Sequence, residues 1–281
     1  MDLKLAGKVA LITGSSRGIG LATVKAFAAE GCRLMLSARS AEPLAEAEAA
    51  LRTSALDVAA HVADVSKPDE AAALVRAAVA VFGGIDVLIN NVGGGGGRAR
   101  IADSTDDNWR GAMELNLIQT VRMMRLALLH MKGRPGASVI NVASISVWSP
   151  QLAMSGQYGA AKAALIFDTE RCALEFVPHG IRVNTVSPGS ILVAGNGWDR
   201  SPTKNILMTM SATVFRWVVS APPRRWPMSS LSWRHRAPTG STAGTYRSMG
   251  WNNPTRPWIG GHFNAAGAAT RPPTPIASTR R

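Results

Sequence analysis

The chain has 281 residues, 46% hydrophobic and 17% charged, enough for one sizeable core and, on that length, one catalytic domain. No apolar run reaches membrane-spanning length, and Met1 to Gly7 followed by the short run Val9 to Thr13 lacks a signal-peptide layout, so the expected setting is cytoplasmic with no membrane partner. The net charge of +13 would suggest a nucleic-acid partner if spread evenly, but ten arginines and no acidic residue lie between Arg216 and Arg281, leaving the first 215 residues with 21 basic and 18 acidic side chains. Cys32 and Cys172 are the chain's two cysteines; their spacing suits no metal motif, and both are expected as buried small hydrophobes.

In chain order, Lys8 to Thr13 is an apolar run suited to a buried parallel strand. It leads into Gly14-Ser15-Ser16-Arg17-Gly18-Ile19-Gly20, where glycines allow a tight turn and close approach of backbone to a ligand. An amphipathic helix from Ile19 to Glu30 follows, whose N-terminus would point free N–H groups at a pyrophosphate. Strand, glycines and helix in that order carry more weight than the glycines alone, which also occur in plain turns. The next strand is Arg33 to Ala38, with Arg39 beyond its tip where an acidic residue would bind ribose hydroxyls. Arg17 and Arg39 can converge there on a 2′-phosphate, a group that a planar guanidinium suits, so NADP (NADPH) is preferred over NAD.

Helix Ala41 to Thr53, strand Val58 to Ala63 ending in Asp64-Val65, helix Pro68 to Phe82 and strand Ile85 to Ile89 ending in Asn90-Asn91-Val92-Gly93 continue the alternation. That alternation predicts a single α/β domain, a Rossmann-type doubly wound parallel sheet with helices on both faces. Its ligands bind outside the strands' carboxyl ends, the edge where Gly14 to Gly20, Arg39, Asp64 and Asn90 all fall. The run Gly93 to Gly97 lies near the same edge and reads equally well as a surface loop. A long helix from Thr105 to Met131 holds Asn116; a strand from Ala137 to Val142 precedes Ser144; Gly180 to Val186 is a sixth strand ending in Ser187-Pro188-Gly189.

Between these last two strands lies Gln157-Tyr158-Gly159-Ala160-Ala161-Lys162. A tyrosine and a lysine four apart share one helix face. A free phenol titrates near pH 10, and a fixed cation beside it favours the phenolate. A shift of roughly three units, about 4 kcal/mol, would make Tyr158 a usable general acid and base near neutrality. Such pairs are common as surface decoration; the surrounding motifs give this one meaning.

Thr13-Gly14-x-x-x-Gly18-Ile19-Gly20, Asp64-Val65, Asn90-Asn91-Val92-Gly93, Asn116, Ser144, Tyr158-x-x-x-Lys162 and Pro188-Gly189 together resemble the short-chain dehydrogenase/reductase superfamily, close to its 3-oxoacyl-carrier-protein-reductase-like branch, over about the first 210 residues. The resemblance implies oxidoreduction between a secondary alcohol and a ketone. Tyr158 would exchange the proton with the substrate oxygen, Lys162 would hold the nicotinamide ribose and lower the tyrosine pKa, Ser144 would hydrogen-bond the substrate oxygen, and Asn116 would hold a relay water. The implied cofactor contacts are Gly14, Ser16, Arg17, Gly18, Ile19, Gly20, Arg39, Asp64, Val65, Asn90, Val92, Gly93, Tyr158, Lys162, Pro188, Gly189 and Ile191. Asp64 and Val65 would meet adenine, and Asn90 would pin the strand edge. Three departures stand out: Val92 replaces the usual alanine, the Ser144–Tyr158 spacing is one residue longer than common so that Ser146 is an alternative serine, and Val193 replaces a threonine, leaving the Ile191 backbone for the nicotinamide amide. Val147, Trp148, Leu152, Met154, Ile191, Leu192, Trp198, Ile206 and Leu207 border the expected substrate space and suggest a hydrophobic or ring-bearing substrate, with Ser144, Trp148 and Tyr158 touching it; they read equally well as lid packing.

After Phe215 the pattern breaks. Residues 216–281 form a basic segment in which Pro, Arg, Ser, Gly and Trp dominate, expected to be mostly disordered. The family ends instead with two helices, a Pro-Leu-Gly-Arg turn and a strand closing in Val-Asp-Gly-Gly. Shifted by two bases, Phe215 to Val219 permits Pro-Leu-Gly-Arg, and Ser241 to Gly250 permits Val-Asn-Gly-x-Asn-Val-Pro-Val-Asp-Gly. A frameshift near Phe215 is therefore expected, in preference to a nucleic-acid-binding tail. Family members assemble as homotetramers or homodimers, and loss of the last strand is expected to weaken that assembly here and to expose a sheet edge. The alternative to an active reductase is a cofactor-binding remnant with impaired chemistry.

Overall fold

The computed structural model describes residues 3–52, 57–95, 100–148 and 155–189. Six parallel strands in the order β3-β2-β1-β4-β5-β6 form one sheet. These are β1 (Val9–Thr13), β2 (Arg33–Ala38), β3 (Val58–Val62), β4 (Val87–Asn90), β5 (Ser138–Val142) and β6 (Arg182–Val186). Between them run α1 (Gly18–Ala29), α2 (Ala41–Arg52), α3 (Pro68–Phe82), α4 (Asp106–Met113), α5 (Gln119–Met131) and α6 (Gly156–Phe176). All described residues fall in one of the chain's two units, Met1–Trp251; the other, Asn252–Arg281, lies outside them.

Strand alternation sorts the core into two layers. Ala10 and Ile12, Leu34 and Leu36, Val87 and Ile89, and Ile140 and Val142 face α1 and α2, where Phe27 and Leu44 are buried with them. Val9, Leu11, Met35, Leu88 and Val139 face the other way, toward Leu74 of α3, Met123 of α5 and Phe176 of α6. Burying each such side chain contributes about 1.5–3 kcal/mol against a large entropy cost. The parallel registers Ile12↔Leu36 and Ile12↔Ile89 set β1 at the centre, where the strand order reverses. A crevice opens at that switch point, outside the carboxyl ends of β1 and β4.

Helix boundaries follow local chemistry. Pro68 sits in the first turn of α3 with Asp69 and Glu70, and Gly83 ends it with φ +78°. Thr105 and Asn108 close a reciprocal capping box at the start of α4. Two expectations change. The helix expected from Thr105 to Met131 is divided by a π turn at Glu114–Ile118. The fourth strand begins at Val87 rather than Ile85, because Asp86 turns its carboxylate onto the Val9 N–H (2.8 Å) and the Arg134 guanidinium (two contacts of 2.9 Å). Residues 216–281, with their expected frameshift and disorder, lie outside the described residues.

Candidate active site

The glycine segment after β1 is shaped by close approaches. Gly14 and Gly18 have φ of +63° and +57°, and a Cβ on Gly20 would lie 2.1 Å from the Gly14 carbonyl oxygen. Arg17 precedes α1 in extended conformation with no side-chain cap, and the first turn holds no acidic residue. The N–H groups there have no side chain competing for them, as an anion site requires. The neighbouring loop is stitched to this one by Asn91, whose Nδ2 donates to the carbonyls of Thr13 and Gly14 at 3.0 Å each. The Asn91 N–H donates in turn to Thr13 Oγ1 at 3.0 Å.

Asn90, expected to pin the edge around a ligand, instead points into the sheet. Its Nδ2 donates to Asn141 Oδ1 (2.9 Å), and Asn141 donates to Thr169 Oγ1 on α6 (2.9 Å), tying β4 to β5 and both to α6. One residue of strand alternation separates the two asparagines' tasks: Asn90 ties neighbouring strands and Asn91 ties neighbouring loops. Sequence reading quoted Asn91 within its motif and assigned it no role.

At the tip of β3, Asp64 accepts from Ser66 N (3.1 Å) and Ser66 Oγ (2.7 Å). Burial pulls its carboxyl upward, but those two bonds, with the charges of Arg39 and Lys67, hold it below the usual carboxylate value. Arg39 is exposed and close enough to act on Asp64 electrostatically. Val65 is buried beside them. Arg122, unnoticed in the sequence, reaches from α5 to the carbonyls of Val65 and Ser66 at 3.0 Å each and to Glu114 at 2.8 Å.

The π turn positions Asn116, which is fully buried. A single wide turn of this kind re-aims one side chain without ending the helix. Asn116 Oδ1 accepts from Gly94 N (3.0 Å), while Nδ2 donates to Gly94 O (3.1 Å) and Ala112 O (3.0 Å). This side chain holds the loop after β4. Gln119 Nε2 adds a bond to Val92 O at 3.0 Å. Gly93 is pressed between the machinery: a Cβ there would fall 2.9 Å from both Asn116 Oδ1 and Lys162 Nζ.

Across the crevice, Ser144 lies two residues past β5 and caps the short helical turn Ile145–Val147. That turn is anchored by Ile145 N donating to Pro188 O at 3.0 Å, which sets Pro188-Gly189 beside it. Ser155 caps α6 by accepting from Tyr158 N at 3.3 Å. One turn on, Lys162 is 2% exposed, its Nζ donating to Val142 O at 2.7 Å and lying 5.9 Å from the Tyr158 ring centroid. Ser144 lies near enough to the Tyr158 phenol to favour its ionised form. Tyr158, Ser144, Lys162 and Asn116 lie around this end of the crevice.

The electrostatics differ from expectation. Burial pushes the Tyr158 phenol above its usual value, against the opposing pull of the Ser144 hydrogen bond. Burial also lowers the Lys162 ammonium to about 8. The lysine was expected to depress the tyrosine, but in the chain alone its Nζ turns to the Val142 carbonyl, and desolvation dominates both groups. Of the apolar residues expected at the substrate space, Val147 packs against the Leu165–Ile166 cluster and Trp148 is 43% exposed. Leu152, Met154, Ile191, Leu192, Val193, Trp198, Ile206 and Leu207 lie outside the described residues. Cys32 and Cys172 are buried and unbridged, each thiol pushed up to about 12 by burial. Among the described residues, no helix is long and apolar enough to cross a membrane.

The sheet order, the glycine segment and the Tyr158–Lys162 pair define a member of one enzyme class: the chain belongs to the short chain dehydrogenase family, whose model matches residues 8–203. It is 33% identical over 209 residues to dehydrogenase/reductase SDR family member 4 of Oryctolagus cuniculus, covering 73% of this chain and 80% of that one. Among solved structures it resembles L-sorbose reductase from Gluconobacter frateurii complexed with NADPH and L-sorbose (33% identity, TM-score 0.70, 78% of this chain and 90% of that one). It also resembles NADH-dependent reductase A1-R′ complexed with NAD (32% identity, TM-score 0.69, 78% and 91%).

Proposed function

We propose that the chain interconverts a secondary alcohol and a ketone with a nicotinamide cofactor, NADP in preference to NAD, on a hydrophobic or ring-bearing substrate. The observation that carries this reading is the buried Lys162 ammonium one helical turn from Tyr158, 5.9 Å from its ring centroid, with Ser144 near the same phenol. The cradle suits a dinucleotide: a bare helix N-terminus beside Gly14 and Gly18, and Gly93 at a spot that no side chain can fill. Arg39 beside Asp64, with that carboxylate already engaged by Ser66, supports a 2′-phosphate partner.

Bound, the reduced nicotinamide would supply hydride to the carbonyl carbon. Negative charge would then grow on the substrate oxygen, where Ser144 donates a hydrogen bond and Tyr158 transfers its proton. Lys162 would reorient toward the ribose and phenol, placing its charge where the phenolate forms. Asn116 and Gln119 hold the Val92–Gly94 loop, which would flank the bound cofactor. Both nicotinamide forms occur among the similar structures: L-sorbose reductase carries NADPH and reductase A1-R′ carries NAD.

A cofactor-oxidation assay over a panel of ketones tests the reading. Tyr158→Phe is expected to lower kcat at least about 100-fold while leaving NADPH binding in place. Undiminished turnover in that variant overturns the chemistry; NADPH binding with no turnover across the panel marks instead a cofactor-binding chain with impaired chemistry. A kcat/KM that favours NADH overturns the NADP preference.

Ile118 at the end of the π turn, Val121 and Leu129 on α5, and Phe167 and Leu174 on α6 are exposed apolar side chains that support homo-oligomer formation. A frameshift near Phe215 would disturb that assembly, and sequencing the gene through that codon tests it. A family ending recovered in the other frame supports the frameshift; an uninterrupted frame without one overturns it.

A further inference from the structure

Ser144 receives two hydrogen bonds from one residue. The Ser146 N–H donates to Ser144 Oγ at 3.1 Å, and the Ser146 hydroxyl donates to the same oxygen at 2.9 Å. A serine hydroxyl has two lone pairs and one hydrogen. With both lone pairs occupied, its own hydrogen is free to be given away. Both serines are buried, at 8% and 7% exposure, so bulk water does not compete strongly for these bonds. The turn carrying Ser146 is fixed by Ile145 N to Pro188 O (3.0 Å) and Trp148 N to Ile145 O (2.9 Å), which leaves the pair little freedom to separate.

We infer that Ser146 is a positioning residue: it fills the acceptor side of Ser144 and commits that hydroxyl to donation toward the Tyr158 phenol and the substrate oxygen. The inference rests on the proposed function. Ser146 was weighed from sequence as a replacement for Ser144; the geometry gives it a different task, one place behind. Buried hydroxyls often donate to a local carbonyl, and a Ser144 that did so would have no hydrogen to offer. Two donors aimed at its oxygen also polarise its O–H bond and make it a better donor to a phenolate. Loss of the Ser146 hydroxyl should therefore make Tyr158 harder to ionise.

The ionisable groups around the phenol are few. Lys162 faces its ring from the same helix, 5.9 Å from the centroid. On α4, Asp106 and Asp107 pair with Arg110 at the surface, and Glu114 of the π turn pairs with Arg122. The turn Ile145–Val147 and β5 contain no ionisable side chain; Arg182 opens β6 and His179 follows the last turn of α6, both at the end of those elements remote from the phenol. Burial dominates the phenol, and Ser144 is the side chain opposing it.

The test is the pH dependence of alcohol oxidation, where Tyr158 must be deprotonated to accept the proton. Ser146→Ala is expected to lower kcat about three- to tenfold and to move the rising limb of the profile to higher pH, with an unchanged melting temperature. Ser146→Thr, which keeps the hydroxyl, is expected to keep the wild-type limb. An unaltered profile in Ser146→Ala, or an equal loss at every pH with no displacement of the limb, overturns the inference. Ser144→Ala separates the two levels: full activity in that variant sinks the proposed function itself. A crippled Ser144→Ala beside an unaltered Ser146→Ala sinks this inference alone.

Discussion

Lys162 carries a cost that its position imposes. Its ammonium is buried against a single carbonyl, and burial lowers its pKa from 10.5 to about 8. Between those values the unfolded chain binds more protons than the folded one, so stability should rise with pH through that window. The size is on the order of 3 kcal/mol. Cys32 and Cys172, pushed up to about 12, act in the opposite sense above their ordinary 9, so the effect is read as a difference between variants. Lys162→Met is expected to be more stable than wild type at pH 7, to lose that advantage by about pH 10, and to lose turnover; thermal melts across the pH range check it. A constant difference at every pH would contradict the buried charge. The Tyr158–Lys162 spacing was legible because helix periodicity puts residues four apart on one face. Lysine's partner was not, because Val142 arrives from a strand twenty residues away only when α6 packs onto β5.

Elements were the most readable level, and their failures are informative. Strands Val9–Thr13 and Arg33–Ala38 could be seen because fully buried parallel strands read as apolar runs. The π turn could not, since Glu114 to Ile118 keeps ordinary helical composition and its widening is fixed by contacts to other segments. Chief among these is Arg122, whose one nitrogen holds Glu114 at the turn and the carbonyls of Val65 and Ser66 in the loop beyond β3. Its side chain is 10% exposed, which makes the contacts hard to replace with water. Arg122→Met is expected to weaken cofactor binding about tenfold while changing kcat less, because the loop bearing Asp64 loses its clamp from α5. Equilibrium titration of NADPH by fluorescence checks it, and an unchanged Kd would show that Glu70, whose carboxylate holds the Asp64 N–H, suffices alone.

At the scale of the molecule, the two ends of the sheet do different work. The N-terminal end is closed by Asp86, which binds Arg134 through both oxygens, accepts from Val9 and lies 3.8 Å from Lys8. Burial pulls its carboxyl upward, but the Arg134 and Val9 bonds and the charges of Arg134 and Lys8 hold it below its usual value. A carboxylate so depressed contributes stability above the unfolded carboxylate range and loses it as pH falls through the folded value. Asp86→Asn is expected to cost about 2 kcal/mol at pH 7, with the gap to wild type closing in acid, as read by denaturant titration. A gap independent of pH would assign the residue a purely steric part. No motif announced Asp86, since its partners come from two separate segments, Lys8-Val9 and Arg134, that meet only after the sheet forms.

The opposite end is sewn together by side-chain amides. Asn91 joins the loops after β1 and β4, and Asn116 grips Gly94 from both sides. Among the described residues, the shape of the loops after β1 and β4 is thus set in advance. In deuterated solvent the main-chain protons of Asn91, Val92 and Gly94 should already exchange slowly before any nucleotide arrives. Calorimetry should likewise record association without the large entropic penalty of a loop folding around its guest.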